Sequence, residues 1–210
     1  MSAQTLVQSP RSLAPAAVIS VAWFAAALAA GALGAFHTTP GAPPVAIGLA
    51  AGAPPLAAIA FAARSPRFRA WAVSLDLRFL TLLQAWRAGG LAFLGLAAVH
   101  ALPGGFAVPA GVGDLTVGLT APLVAAFVVG RSDRLYLAWT ALGIADLVTA
   151  VTLGILYSSS PIGILRGDIG TDLMASLPMS IIPTFGVPIT LVIHILALTN
   201  LRGRRAGHDR

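Results

Sequence analysis

The chain has 210 residues, of which 57% are hydrophobic and only 10% are charged, whereas a soluble domain is about a quarter charged. This composition excludes a domain that faces water on all sides, and it predicts repeated apolar helices of about 20 residues, each long enough to cross a bilayer. The net charge of +6 comes from arginine, because the chain contains no lysine and no glutamate.

The missing residue types exclude several kinds of chemistry. Without cysteine, the chain forms no disulfide and no thiolate metal site or thiol nucleophile. Without lysine, a retinal Schiff base and a lysine nucleophile are excluded as well. The arginines fall in short loops beside apolar runs, where they orient helices in a membrane. We therefore expect the lipid bilayer, and not nucleic acid, to be the main partner of this surface.

Six apolar segments in chain order predict an all-α integral membrane protein, a six-transmembrane-helix bundle. A short polar leader over residues 1–13 precedes a single transmembrane domain over residues 14–200, and residues 201–210 form a basic tail. An interfacial helix is predicted at residues 66–78. Small residues late in segment one would permit cleavage as a signal peptide, but the length of its apolar run favours a retained helix. The spans are predicted at residues 14–36, 45–63, 79–101, 113–130, 135–157 and 173–200.

Prolines predict breaks in the second and sixth helices. Pro54 and Pro55 lie in the middle of segment two, where they remove two backbone donors. Segment six carries Pro178, Pro183 and Pro188 at a spacing of five residues. A membrane tolerates such breaks where the freed backbone groups are buried in protein or line a cavity. Ordinary proline kinks, which are common in transmembrane helices, are the alternative for helix six.

The arginines are distributed unevenly between the two ends of the predicted bundle. Eleven of them lie at the end that carries the leader, the loops after segments two and four, and the tail, whereas Arg166 lies alone at the other end. Because arginine-rich loops stay on the cytoplasmic side, we predict that both termini are cytoplasmic. With the abundance of alanine, glycine and arginine, this favours a bacterial inner membrane.

Three ionisable residues fall inside the predicted helices: Arg87 in segment three, Asp146 in segment five and His194 in segment six. Counted from the arginine-rich ends, they lie at similar depths of roughly 9 to 16 Å. A charge inside a bilayer costs at least about 2.5–3.5 kcal/mol, and pairing is the usual remedy. We therefore predict that Arg87 and Asp146 meet near His194. The cluster forms either an ion or substrate pathway or a static ion pair that fixes helix packing.

A second polar group is predicted at the outer end of the bundle, and it consists of His37, His100, Asp114, Asp168 and Asp172. Histidine and aspartate suit Zn²⁺ or Cu²⁺, which makes His37 and His100 candidate metal ligands. Alternatively, Asp114 and Asp172 open segments four and six as helix N-caps. The cofactor stays unknown. His100 and His194 are predicted at opposite ends and cannot share one haem iron, whereas a haem or pigment bound through one histidine stays open.

Two hexapeptides resemble each other, at residues 85–90 (AWRAGG) and 138–143 (AWTALG). Each starts a helix towards the outer end, and each is followed by an Asp-Leu pair, at Asp114 and at Asp172. Hairpins three–four and five–six are therefore either parallel repeats, as in some transporters, or similar by coincidence in an alanine-rich chain.

Two functions remain open on these grounds. The first is a transport or ion/proton-pathway protein built around Arg87, Asp146 and His194. The second is an accessory or assembly subunit of a larger, energy-transducing membrane complex, with other membrane subunits or a homo-oligomer as partners. A membrane-embedded enzyme is disfavoured, because common catalytic motifs are absent and the Asp168–Asp172 pair lacks the second aspartate cluster of transferases that bind Mg²⁺-diphosphate.

Overall fold

A computed structural model describes residues 10–39 and 41–208. Helices make up 77% of the structure, and no β-strand occurs among the described residues. Most of the predicted leader and the last residues of the predicted tail lie outside this range. The elements are α1 (Pro10–Ala32), α2 (Val45–Arg64), α3 (Pro66–Ser74), α4 (Leu77–Leu82), a 3₁₀ helix (Leu83–Gly90), α5 (Leu91–Ala98), α6 (Gly104–Phe127), α7 (Asp133–Leu156), a 3₁₀ turn (Asp172–Ala175), a π-helical segment (Ile182–Gly186) and α8 (Val187–His208).

Six helical stretches in the described part of the chain are long and apolar enough to cross a membrane, which confirms the predicted all-helical class and the predicted number of long apolar helices. They are compatible with a multi-pass membrane protein. We number them spans one to six: Leu13–Ala32, Val45–Arg64, Leu77–Ala98, Gly104–Phe127, Asp133–Leu156 and Ile182–Arg205.

Spans four and six begin at residues well away from the predicted ones. Span four begins at Gly104, directly after Pro103, and not at residue 113. The uncharged segment before residue 113 is helical although it contains Pro109, whose missing N–H removes one hydrogen bond of the helix. Span six begins at Ile182 and not at residue 173, since Asp172 to Ala175 form only a separate 3₁₀ turn.

The prolines act differently in the two helices that they were expected to interrupt. Helix α2 runs without interruption through Pro54 and Pro55, so the predicted break is not present there. At the start of span six, Pro178 lies in a non-helical turn and Pro183 in the π-helical segment. Pro188 is the second residue of α8, where a proline is tolerated. The irregular backbone of span six is therefore confined to its beginning.

Side-chain contacts define two ends of the bundle. At the first, Asn200 Nδ2 in α8 donates to the carbonyls of Ala72, Val73 and Leu75, at 2.8, 3.0 and 2.8 Å. The Arg205 side chain pairs with Asp133 at 2.9 Å. These contacts bring together α3, the start of α7 and the end of α8. Because the loops that meet there carry most of the arginines, we name this end the arginine-rich end.

The opposite end, which we name the loop end, is formed by the long segment after α7. Here Gly41 N–H donates to the Ser159 carbonyl at 3.3 Å, and His37 Nε2 lies 3.0 Å from Ser176 Oγ. Each end has its own apolar core. One contains Leu75, Leu80, Ile193 and Leu201, and the other contains Phe93, Leu102, Phe106 and Met174. Polar side chains occupy the layer between these two cores.

Candidate functional site

Arg87 is the centre of this polar layer. It belongs to the 3₁₀ helix of span three, and its side chain is completely buried, with 0% exposed. Its Nε donates to Asp114 Oδ1 at 2.7 Å, and its Nη2 donates to Asp146 Oδ2. Its Nη1 lies 3.3 Å from the Gly143 carbonyl oxygen. Arg87 therefore pairs with Asp146, as the sequence predicts, and also with Asp114 of span four.

These groups lie in the middle of the membrane-spanning region. Arg87, Asp114, Asp146 and His194 each lie ten or eleven residues from the nearer end of their own spans, which corresponds to roughly 15 Å of helix. The hydrocarbon core is about 30 Å thick, so this depth is close to its midplane. The prediction that Asp114 opens span four at the outer end is wrong, because that helix begins at Gly104.

Glycines on spans four and five allow the helices to approach the cluster closely. A Cβ at residue 143 would lie 2.7 Å from His194 Nε2 and 3.2 Å from Arg87 Nη1. A Cβ at residue 113 would overlap the Asp146 carboxylate, and one at residue 118 would overlap the backbone of Ala88. Small residues at membrane helix interfaces permit such short distances. Gly113, Gly118 and Gly143 are thus part of the site. Their positions close to Asp114 and Asp146 in the sequence were the signal by which they could have been predicted.

Two further polar side chains are buried beside Arg87. His194 is 1% exposed, and its ring packs edge-on against Trp139 with centroids 6.0 Å apart. Gln84, one helical turn before Arg87, is also 1% exposed. Among the described residues, neither His194 Nε2 nor the Gln84 amide atoms find a hydrogen-bond partner. Since buried polar atoms are nearly always hydrogen-bonded, these atoms are available to water or to a ligand.

A cavity of about 520 Å³ connects this layer with the loop end. It lies between α2, α7 and the start of span six, and Asp114 contributes to its inner lining. Its wall is mainly apolar and includes Phe93, Phe106 and Leu147, whereas its mouth is polar. Hydrophobic walls with a few placed polar groups are typical of small-molecule sites. We name this space the loop-end cavity.

The mouth contains only part of the predicted outer polar group. His37 and Asp172 line it, but His100 and Asp168 do not. Asp172 accepts a hydrogen bond from the Ser159 hydroxyl and lies 3.4 Å from Arg166. It does not cap a helix as predicted, because it is the first residue of the 3₁₀ turn and Thr171 occupies the N-cap position. Asp168 is exposed in the loop.

The histidines do not form the predicted metal site. His37 lines the loop-end cavity and His100 does not, and His37 forms a hydrogen bond with Ser176. In the described ranges, no group of three or more histidine or acidic side chains could hold a metal ion.

The two similar hexapeptides make equivalent contacts through their tryptophans. Trp86 Nε1 donates to Thr190 Oγ1 at 3.1 Å, which links span three to span six. Trp139 Nε1 donates to Thr120 Oγ1 at 2.9 Å, which links span five to span four. Each tryptophan therefore bonds to the second helix of the other hairpin. Two hairpins related by a two-fold axis would show this pattern. The two aspartates of the repeat are not equivalent, because Asp114 lies in the polar layer, whereas Asp172 lies in the segment after α7.

A family model described as Domain of unknown function (DUF8737) matches residues 44–202. The matched region includes spans two to five, most of span six and the complete polar layer, and α1 lies outside it. No curated protein and no solved structure matches the chain significantly.

Proposed function

We propose that the chain, which belongs to the DUF8737 family, is a membrane transport protein and that the polar layer is its binding site. The transported species is a proton or a small organic cation, and the membrane is the inner membrane of a bacterium. The observation that carries this proposal is the loop-end cavity, which ends at a carboxylate of a charged cluster near the midplane.

The charges of the cluster support a cationic ligand. Arg87 faces two carboxylates, Asp114 and Asp146, so one negative charge is in excess when both are ionised. An uncompensated charge in the interior of a membrane protein is costly, and such residues commonly mark ion or substrate pathways. A bound proton or organic cation compensates the excess charge.

The cavity determines which carboxylate a ligand reaches first. Of the three charged residues, only Asp114 lines the cavity. A cation that arrives from the loop end competes with Arg87 for Asp114, while Arg87 keeps its bond to Asp146. The volume of about 520 Å³ lies within the range of small-ligand pockets, and its apolar wall suits an organic cation better than a hydrated metal ion.

Irregular helices on both sides of the cluster supply a route for conformational change. Arg87 lies in a 3₁₀ helix and Phe185 in a π-helical segment, both unusual inside long helices and frequent at functional sites. The two irregular segments meet where Trp86 packs against Gly186, whose added Cβ would lie 2.7 Å from the indole Cη2. A return of either segment to α-helical geometry would change its residues per turn and so rotate Arg87 relative to Asp114.

The orientation follows from the positive charges. Arginine-rich loops stay in the cytoplasm, so the arginine-rich end and both termini are cytoplasmic. The loop-end cavity then opens away from the cytoplasm, and the described conformation is the one that receives its ligand from outside.

Flux measurements test this function. The purified chain is reconstituted in liposomes that contain a pH-sensitive dye, and uptake of protons and of radiolabelled tetraethylammonium is driven by a potassium diffusion potential. We expect at least one of the two cations to enter faster than in empty liposomes, and we expect Asp114→Asn to reduce that rate by roughly tenfold or more.

Asp168→Asn is the matched control, because it makes the same chemical change in an exposed loop, and it should leave the rate unchanged. Equal rates for protein-containing and empty liposomes with both cations would contradict the proposal. Equal rates for the Asp114→Asn variant and the wild-type chain would do the same.

An accessory subunit of a larger membrane complex is the second candidate function. Helix α1 favours it, since only 6% of its most apolar window is buried. Its aromatic contact with the rest of the chain is an edge-on packing of Trp23 and Phe24 against Phe185, at 5.1 and 5.2 Å. This helix therefore has an apolar face that another membrane chain could cover. Purification from native membranes in a mild detergent, followed by mass spectrometry and absorption spectroscopy, distinguishes the two functions. Other subunits or a coloured cofactor at fixed stoichiometry would favour the accessory role.

A further inference from the structure

A second cavity, of about 830 Å³, lies at the arginine-rich end. Helices α2 and α7 form its two sides, α8 forms its floor, and α3 contributes to its outer edge. Most of its lining is apolar, with Ile59, Val148 and Ile195 on the three longer helices. We name this space the basic groove, because Arg69 and Arg202 also line it. The proposed transport site does not include any of these residues.

The basic groove is as deep as one leaflet of a bilayer. Along α8 its lining extends from Leu191 to Gly203, which corresponds to roughly 18 Å of helix. Half of a hydrocarbon core is about 15 Å thick. An acyl chain that enters between α2 and α7 can therefore lie along the floor while its head group stays at the level of the arginines.

Both arginines are available to an anion. Arg69 Nη1 donates to the carbonyls of Ala62 and Ala63, at 3.1 and 3.0 Å, and this holds the guanidinium at the end of α2. In the described part of the chain, neither Arg69 nor Arg202 forms an ion pair with a carboxylate, whereas Arg205 pairs with Asp133. Guanidinium groups bind phosphate through two parallel hydrogen bonds, so a held arginine beside a second one is suited to a phosphodiester.

We propose that the basic groove binds an anionic phospholipid, with its phosphate between Arg69 and Arg202 and one acyl chain along α8. Basic pockets between transmembrane helices bind anionic head groups on the cytoplasmic side. The apolar floor requires an alkyl chain, so a lipid fits the groove better than a free phosphate or an acidic peptide. The proposal is independent of the transport function, because it uses a different cavity.

Native mass spectrometry of the full chain in detergent tests the proposal, with dioleoyl phosphatidylglycerol and dioleoyl phosphatidylcholine as probes. The two lipids share their acyl chains and differ in head-group charge. We expect the wild-type chain to prefer phosphatidylglycerol by roughly tenfold or more. The double variant Arg69→Gln/Arg202→Gln should lose this preference. Arg131→Gln/Arg134→Gln removes the same charge from the α6–α7 loop and the first turn of α7, both outside the groove, and it should keep the preference.

Two further measurements locate the acyl chain and identify the source of the phosphate. Val148 is 55% exposed, so Val148→Trp fills the groove without disturbing a buried core. This variant should weaken the binding of both lipids. Millimolar glycerol 3-phosphate should not displace phosphatidylglycerol from the wild-type chain.

Any one of four results would overturn the proposal. The first is a wild-type chain that does not distinguish the two lipids, and the second is an equal loss of preference in both arginine variants. The third is unchanged lipid binding in Val148→Trp. Complete displacement of the lipid by glycerol 3-phosphate would also overturn it, because the head group alone would then be the ligand.

Discussion

Removing Arg87 should destabilise the chain more than any other single charge substitution. The Arg87 side chain is fully buried and bonds two carboxylates and the Gly143 carbonyl. Arg87→Met leaves Asp114 and Asp146, whose side chains are only 16% and 9% exposed, without their cation and close to each other. Breaking a buried ion pair on one side costs about 3–5 kcal/mol. We expect a loss of this size in the free energy of unfolding.

The same reasoning predicts a rescue. In the triple variant Arg87→Met/Asp114→Asn/Asp146→Asn, no charge of the cluster is left uncompensated. An uncompensated buried charge costs about 3–5 kcal/mol, whereas a buried amide without a partner costs about 1–3 kcal/mol. The triple variant should therefore be more stable than Arg87→Met.

Reversible unfolding in mixed micelles of dodecyl maltoside and sodium dodecyl sulfate, followed by circular dichroism, measures these differences. Arg131→Met is the control, because Arg131 is exposed in a loop and its guanidinium lies 6.0 Å from the centre of the Phe127 ring. It should change the stability by less than about 0.5 kcal/mol. A loss below about 1 kcal/mol for Arg87→Met would refute this account of the cluster. A triple variant that is no more stable than the single variant would refute it equally.

Two further substitutions test the packing around the site with the same unfolding assay. A Cβ at residue 118 would lie 3.0 Å from Ala88 Cα and closer still to its nitrogen, so Gly118→Ala should cost about 1–3 kcal/mol. Gly52→Ala, whose Cβ would meet nothing within 4 Å, should instead stabilise its helix by about 0.5–1 kcal/mol; equal effects of the two changes would contradict the packing argument. Asn200→Asp should cost more than Asn200→Ala, because a carboxylate would face the three carbonyl oxygens that now accept from the amide; a more stable aspartate variant would show that these bonds are not made.

Much of this architecture could be predicted from composition alone. Apolar runs of about 20 residues have few alternatives to a membrane helix, because the backbone must satisfy its own hydrogen bonds in lipid. The ion pair of Arg87 and Asp146 was predictable for a related reason, since isolated charges are too costly at that depth. Sequence was less informative where glycine and proline weaken the hydrophobic signal. The start of span four is the clearest case. Because this helix begins at Gly104, Asp114 lies in the polar layer and not at the outer end.

The sequence by itself determined that this chain is a bundle of six apolar helices with a charged layer inside it. Only the tertiary structure decided that span four supplies the second carboxylate, and that a cavity from the loop end reaches it. The reason is physical. Transfer from water to lipid depends on the apolar character of each segment and can be read segment by segment. The choice of neighbours in lipid depends instead on close approach at small residues such as Gly113 and Gly143, and on polar contacts between helices, which exist only once the bundle has formed.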